Sequence, residues 1–399
     1  MLQVKRITAL TILFCFLNAL QIIRTEAAVE VRNLTDRTFY HHMKLFSTSF
    51  PRFLYNSGYD FTYPDAVRGI YVTGHSAGGA KFQSLLQLID ETDLNAMVID
   101  IKDDWGYLTY VPDKSSNFSS IGRPYIKNTE AMMKTLEEKS IYPIARIVVF
   151  KDSVLANKKP ELSFQDGEKV WTNKSGDAFV NPFIKEVWDY NVNIAIEAAK
   201  MGFQEIQFDY VRFPEGFETW DKILHYSKGE YVNKNLDDAQ KRVAAVTDFV
   251  QYAKEKLKSY NVKVSVDIFG YSATLPEAPG IGQNFTKIAK NVDVISSMIY
   301  PSHWTSYFQI AKPDLEPYRL VSEYMKVEKG KLAAIDNPPV SRPWLQDFTA
   351  LWLGKGNYLV YGKQEIEAQI KALQDHGVKE FLLWNAGNTY SPGVDYTPQ

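Results

Sequence analysis

One cysteine stands among 399 residues, and it is Cys15, near the N-terminus. A disulfide framework is therefore excluded, and the chain must rely on its core, which a protein this long can build. Charge of one sign is lacking as well: the net charge is -2, with no strongly basic stretch. Composition thus gives no reason to expect nucleic acid as a partner. No Gly-rich dinucleotide fingerprint, internal repeat or low-complexity segment is present, and the only long apolar run lies at the start. What is abundant is aromatic. Phe, Trp and Tyr make up 14% of the chain, including 8 Trp and 24 Tyr, a usage that suits sugar-stacking surfaces as well as aromatic-rich cores.

The apolar run supplies the first positive signal. Lys5 and Arg6 precede residues 7–23, and Thr25, Glu26, Ala27 and Ala28 come after it. This order of charge, apolar stretch and small residues predicts a secretory signal over 1–28. Thr8, Thr11, Asn18 and Gln21 interrupt the run, so a spanning helix is disfavoured, and a membrane is expected only through an uncleaved N-terminal segment. The expectation is a secreted or cell-surface protein. Because the mature chain would have no thiol, the pattern fits bacterial export, and the N-x-S/T matches at Asn33, Asn117, Asn173 and Asn284 then read as chance.

Residues 29–66 show no clean period and read as an irregular lead-in, packed loosely on the main domain. From residue 67 the chain alternates. Strands are predicted over 68–73, 96–101, 141–150, 205–209, 262–270, 292–300, 340–348 and 380–384, with amphipathic helices between most of them. Phe82, Leu85, Leu86 and Ile89 mark one helical face, and Val243, Val246, Phe249, Val250 and Leu257 another. Strict alternation implies a parallel sheet, and eight units imply closure into a (β/α)8 TIM-type barrel over 67–399.

The stretch EIQFDYVRFP, residues 205–214, organises the chemistry. It comes after a long helix pattern closed by Gly202 and delivers Asp209 to the C-terminal end of a strand, where barrels of this kind keep their sites. Alternation puts Gln207 and Asp209 on one face and Phe208 and Tyr210 on the other. The same phase selects Asp100 with Lys102, Arg146, and Ser265 with Asp267, leaving Ile99, Ile101, Val264 and Val266 to face helices. Several charged groups converging at one barrel end cost too much desolvation to be filler unless they are paired. Paired carboxylates are what glycoside hydrolysis requires: one ionised group faces the anomeric carbon, and one protonated group gives its proton to the leaving oxygen. Asp209, beside Arg212, takes the first role and Asp267 the second, with Glu215, Glu277 and Asp347 as other candidates for the acid. Trp105, Tyr300, His303, Trp304 and Trp384 lie just past strand ends and could offer ring faces to a sugar, while residues 275–282 read as a loop over the site. Asp103 and Asp104 could hold a hard cation, though adjacent acids are more often solvated, and no metal or cofactor is expected.

The combination RGIYVTGHSAGG, VIDIKDDWG, PIARIVVFKD, IQFDYVRFP, VSVDIFGY, ISSMIYPSHW and RPWLQDF resembles the bacterial putative glycoside hydrolase domain family of exported barrel proteins, from residue 67 to roughly 384. The resemblance implies a TIM barrel, a carbohydrate partner and a distant relation to α-glycosidases whose aspartate nucleophile comes after the fourth strand, the place of Asp209 here. Many such relatives carry Glu as the acid after the fifth strand, where this chain has Asp267. With the other polar positions of these motifs, Gln346 of RPWLQDF joins the candidate sugar-binding residues. Two other readings stand beside a polysaccharide-cleaving enzyme. One is a barrel that binds carbohydrate without cutting it. The other is a serine esterase using Gly74-His75-Ser76-Ala77-Gly78, a G-x-S-x-G turn after a strand and before a helix, with His225, His303 or His376 as base.

Overall fold

The computed structural model describes residues 54–398; the predicted signal and most of the lead-in lie outside them. Eight parallel strands close on one another: β1 Arg68–Val72, β2 Ala96–Lys102, β3 Tyr142–Val148, β4 Glu205–Asp209, β5 Lys263–Phe269, β6 Val294–Met298, β7 Trp344–Gln346 and β8 Phe381–Trp384. Each pairs with the next, and β1 pairs with both β2 and β8, so no edge remains in the barrel itself. The expected (β/α)8 TIM barrel is the fold.

Helices cover the outside: α1 Lys81–Asp90, α2 Thr129–Glu138, α3 Lys185–Lys200, α4 Asp238–Leu257, α5 Phe285–Ala289, α6 Pro317–Ala333 and α7 Lys363–Asp375. Their starts are written in the sequence. Asn128, Asp237 and Asn284 accept the backbone N–H groups of Ala131, Gln240 and Lys287, at 2.9, 2.7 and 3.0 Å. Their buried faces are those the periodicity marks, with Phe82, Leu85, Leu86 and Ile89 inward on α1. Ile99, Ile101, Val264 and Val266 lie in the shell between strands and helices, as alternation requires. A smaller cluster including Val98, Tyr71, Ile144, Trp344 and Leu382 fills the lumen.

Two segments depart from expectation. The polar stretch between β3 and α3 is not a plain loop: Phe164, Trp171, Phe179 and Phe183 are buried near a hairpin of Gln165–Asp166 and Lys169–Val170 and join the core between strands and helices. The end of the lead-in is not loose either. Tyr63 O–H donates to Glu380 at 2.9 Å and accepts from Arg342 at 2.8 Å, and a side chain at Gly202 would run into Tyr59. Residues 54–66 thus plug the N-terminal end of the barrel, and the opposite end is left open.

Candidate active site

At that open end β3 supplies Arg146, which is buried and faces the lumen. A guanidinium there must find several acceptors, and it finds three carboxylates. Its Nε and Nη2 donate to Asp209 Oδ2 at 2.9 and 2.6 Å, its Nη1 to Asp100 Oδ1 at 2.7 Å, and its Nη2 also to Asp104 Oδ1 at 2.9 Å. Both donors converge on one oxygen of Asp209, so two charge-assisted hydrogen bonds fix the orientation of its carboxyl. Asp209 Oδ1 accepts a further bond from the Tyr210 N–H at 2.6 Å. Tyr210 sits at φ +53°, a left-handed conformation that costs a non-glycine residue energy and that clusters at functional sites. The turn ends the strand's alternation, and Tyr210 swings to the pocket side with Asp209 rather than to the opposite face.

Asp267, on β5, is treated differently. It accepts one hydrogen bond, from Trp344 Nε1 at 2.8 Å, and no arginine bonds to it. Burial, and then the negative charge of Asp209, push its carboxyl well above the ordinary range, against the opposing pull of Trp344 and Arg146. Asp100, deeper in the barrel, rises to about 6, chiefly through burial, although Arg146 and the Tyr71 hydroxyl at 2.5 Å oppose the change. Asp104 goes the other way: burial would raise it, but Arg146 and Lys151 outweigh that and hold it below the usual value. Arg146 therefore bonds three of four neighbouring carboxyls, and the four sit in unequal environments.

Arg146, Asp104, Asp209 and Asp267 lie at the floor of a pocket of about 550 Å³. Asp209, Asp267, Arg146, Arg212, Tyr300, His303, Trp304 and Trp384 all line it, as do Glu215 and Asp104. Trp384 stacks on Tyr71 with centroids 4.0 Å apart. Trp304 closes on Gly270, where any side chain would meet the indole, so the glycine lets the ring approach the strand end.

Other candidates lie elsewhere. Lys102 misses the lumen because the β2–β3 register shifts between Asp100 and Lys102. A bulge reverses the facing of the residues after it, and Lys102 is instead buried against Asp152 at 2.6 Å and Asn191 of α3 at 3.0 Å. Gln346 is also buried away from the pocket, donating to Asp314 at 3.0 Å and accepting from the Ser302 N–H at 3.0 Å. Trp105 is exposed on the loop after β2, and Asp100 stands behind Arg146; neither lines the pocket. Arg212 is not the partner of Asp209: it reaches Glu215 at 3.3 Å and lies over the Phe269 ring. Of the other acids, Glu277 is engaged by Gln240 and Asn284, and Asp347 by Ser391. The loop 275–282 packs on the β4–α4 side, with Pro279 accepting from Arg242 at 2.9 Å, and does not line the pocket.

Sequence reasoning passed over Trp344, Tyr210 and the pocket role of Asp104. Trp344 was within reach, since it lies two residues before Gln346 on the same strand face; Tyr210 was not, because its turn reverses the phase. The G-x-S-x-G segment forms a single helical turn in which Ser76 Oγ lies 3.1 Å from Thr73 Oγ1. His303 and His376 bond to Ser302 and Ser322, His75 stacks on Tyr125 and His225 bridges to Gln165, so among the described residues no histidine is hydrogen-bonded to Ser76. Among the described residues no cluster of three metal-ligating side chains occurs, and no helix is long and apolar enough to cross a membrane.

A family described as "Putative glycosyl hydrolase domain" matches residues 69–390. Among solved structures, a hypothetical protein from Ruminiclostridium thermocellum ATCC 27405 is 33% identical, over 50% of this chain and 96% of that one, at a TM-score of 0.41. The glycoside hydrolase domain of PgaB (BpsB) from Bordetella bronchiseptica is 14% identical over 81% of this chain and 94% of its own, with a TM-score of 0.55. A beta-galactosidase from the psychrophilic Marinomonas ef1 is 11% identical over 80% and 54%, with a TM-score of 0.52. The last two share the barrel fold. No curated protein matches.

Proposed function

This chain belongs to the putative glycosyl hydrolase domain family, and from that premise we propose that it cleaves glycosidic bonds of a polysaccharide outside the cytoplasm. Asp209 acts as the carboxylate that faces the anomeric carbon, and Asp267 as the acid that protonates the leaving oxygen. The observation that carries this reading is the unequal treatment of the two carboxyls. Asp209 is gripped by Arg146, whereas Asp267 is buried, bonded only by an indole and raised by its neighbour's charge. Two carboxyls whose environments push them apart are what acid-assisted glycoside cleavage needs. Arg146 orients Asp209, and Asp104 and Asp100 hold Arg146. Tyr300, Trp304 and Trp384 offer ring faces to the sugar. The apolar N-terminal run supports export to the cell surface or beyond, where a carbohydrate would be the partner.

The test is a screen of extracellular and cell-surface glycans with wild type, Asp209→Asn and Asp267→Asn. The expected result is products from wild type alone. Glycan binding by all three proteins with products from none would leave a binding barrel and reject catalysis.

A further inference from the structure

The aromatic lining does not stop at the pocket. His303, which lines it, lies 6.0 Å from the ring of Trp352, and Phe348 stacks on the same indole at 5.9 Å and 25°. Phe348 and His303 in turn both pack on Tyr300, at 6.0 and 5.3 Å. A continuous row of rings therefore runs from the pocket floor to the 3-10 turn Leu351–Leu353, in the connection between β7 and α7. That connection leaves the C-terminal end of β7, the end at which the pocket opens. Burial falls along the row: Tyr300 is 7% exposed, whereas Trp352 is 64% exposed.

An indole left this open in a water-soluble fold forgoes much of the stabilisation that burial would give. Yet two rings, His303 and Phe348, flank it. A ring packed against others before binding loses less rotamer freedom when a ligand covers it. Its chemistry, a flat apolar face with an N–H at the rim, matches the C–H face of a pyranose and its hydroxyls. We propose that Trp352 is a sugar-stacking platform lying outside the cleavage pocket, and that it carries a neutral or weakly charged glycan chain running on from the pocket past His303. The inference rests on the glycosidase reading and adds to it that the substrate is a chain longer than the pocket holds.

The experiment measures binding by calorimetry of soluble ladders, from disaccharide to octasaccharide, of amylose, cellulose, galactan and chitosan fragments to the full-length protein. Asp209→Asn serves as the parent, so that the ladder is not consumed. Affinity for a recognised ladder should rise with length, and adding Trp352→Ala should weaken the long members by about three- to tenfold while flattening the length dependence. Trp352→Phe should restore most of it. Affinity that rises with length equally in parent and Trp352→Ala overturns the platform and leaves the glycosidase reading standing. No binding to any ladder by the parent overturns both.

Discussion

The two ends of this barrel each bury one arginine among acids, and they use it for opposite purposes. At the N-terminal end, Arg342 is bonded to Glu205 and Glu380 at 2.8 Å each and to the Tyr63 hydroxyl at 2.8 Å. The lead-in covers the cluster, and none of these residues lines the pocket. At the C-terminal end, Arg146 meets Asp100, Asp104 and Asp209, with Asp267 close enough for its carboxyl to feel Asp209. The lower cluster sets one cation against two acids and a phenol. The upper sets Arg146, with Lys151 near Asp104, against four acids, and it opens to solvent. In the upper set burial, and then the charge of Asp209, raise the Asp267 carboxyl above its ordinary range, and that carboxyl lines the pocket. Ion pairing thus closes one end and arms the other.

The largest effect that separates them is on turnover. Asp209→Asn is expected to lower kcat by about 10³-fold or more with an unchanged circular dichroism spectrum, because Arg146 keeps Asp100 and Asp104. Wild-type turnover of the cleaved glycan in that variant would erase the distinction between the ends. Next, Arg342→Met leaves two acids without their cation and should cost about 3–5 kcal/mol in denaturant unfolding, while the protein that remains folded keeps its KM. A loss of activity without loss of stability would mean that the lower end serves the site.

Asp267→Asn should separate stability from activity in the other direction. The folded protein holds the Asp267 carboxyl above its unfolded value, so its contribution is present at pH below the unfolded pKa and is lost as pH rises through the folded one. Near neutral pH this group opposes folding. Its amide substitute should therefore raise Tm at pH 8 relative to wild type, with little difference at pH 3, although activity is gone. Trp344→Phe acts on the same proton. The indole N–H favours ionised Asp267, so removing it should move the alkaline limb of the pH–rate profile upward, and a downward shift would oppose the assignment of Asp267 as acid. The smallest effect belongs to the lower end, where Tyr63→Phe removes the hydroxyl shared by Glu380 and Arg342 and should cost about 1 kcal/mol.

The barrel was readable in the sequence because strand and helix periods recur where the residues must face two layers. The inward set Asp100, Arg146, Asp209 and Asp267 came from the same phase. What escaped it depended on breaks in phase. One extra residue in β2 sends Lys102 outward, and a left-handed turn brings Tyr210 inward, and neither break has a local sequence signal. Arg212 looked like the partner of Asp209 because it is three residues away, but Arg146 on the neighbouring strand lies opposite Gln207 and reaches Asp209 from the side. The lower cluster was invisible for a related reason: Tyr63, Glu205, Arg342 and Glu380 are brought together only by barrel closure.

What most needs testing is that burial, and then the charge of Asp209 beside it, raise the Asp267 carboxyl. Carbon-13 NMR titration of the aspartate carboxyls, assigned by loss of one signal in Asp267→Asn, reads this directly in the full-length protein. The account predicts that Asp267 titrates well above the ordinary aspartate value of about 3.9 in wild type and falls when Asp209→Asn removes the neighbouring charge. An Asp267 signal that titrates at the ordinary value and does not move in Asp209→Asn would contradict it.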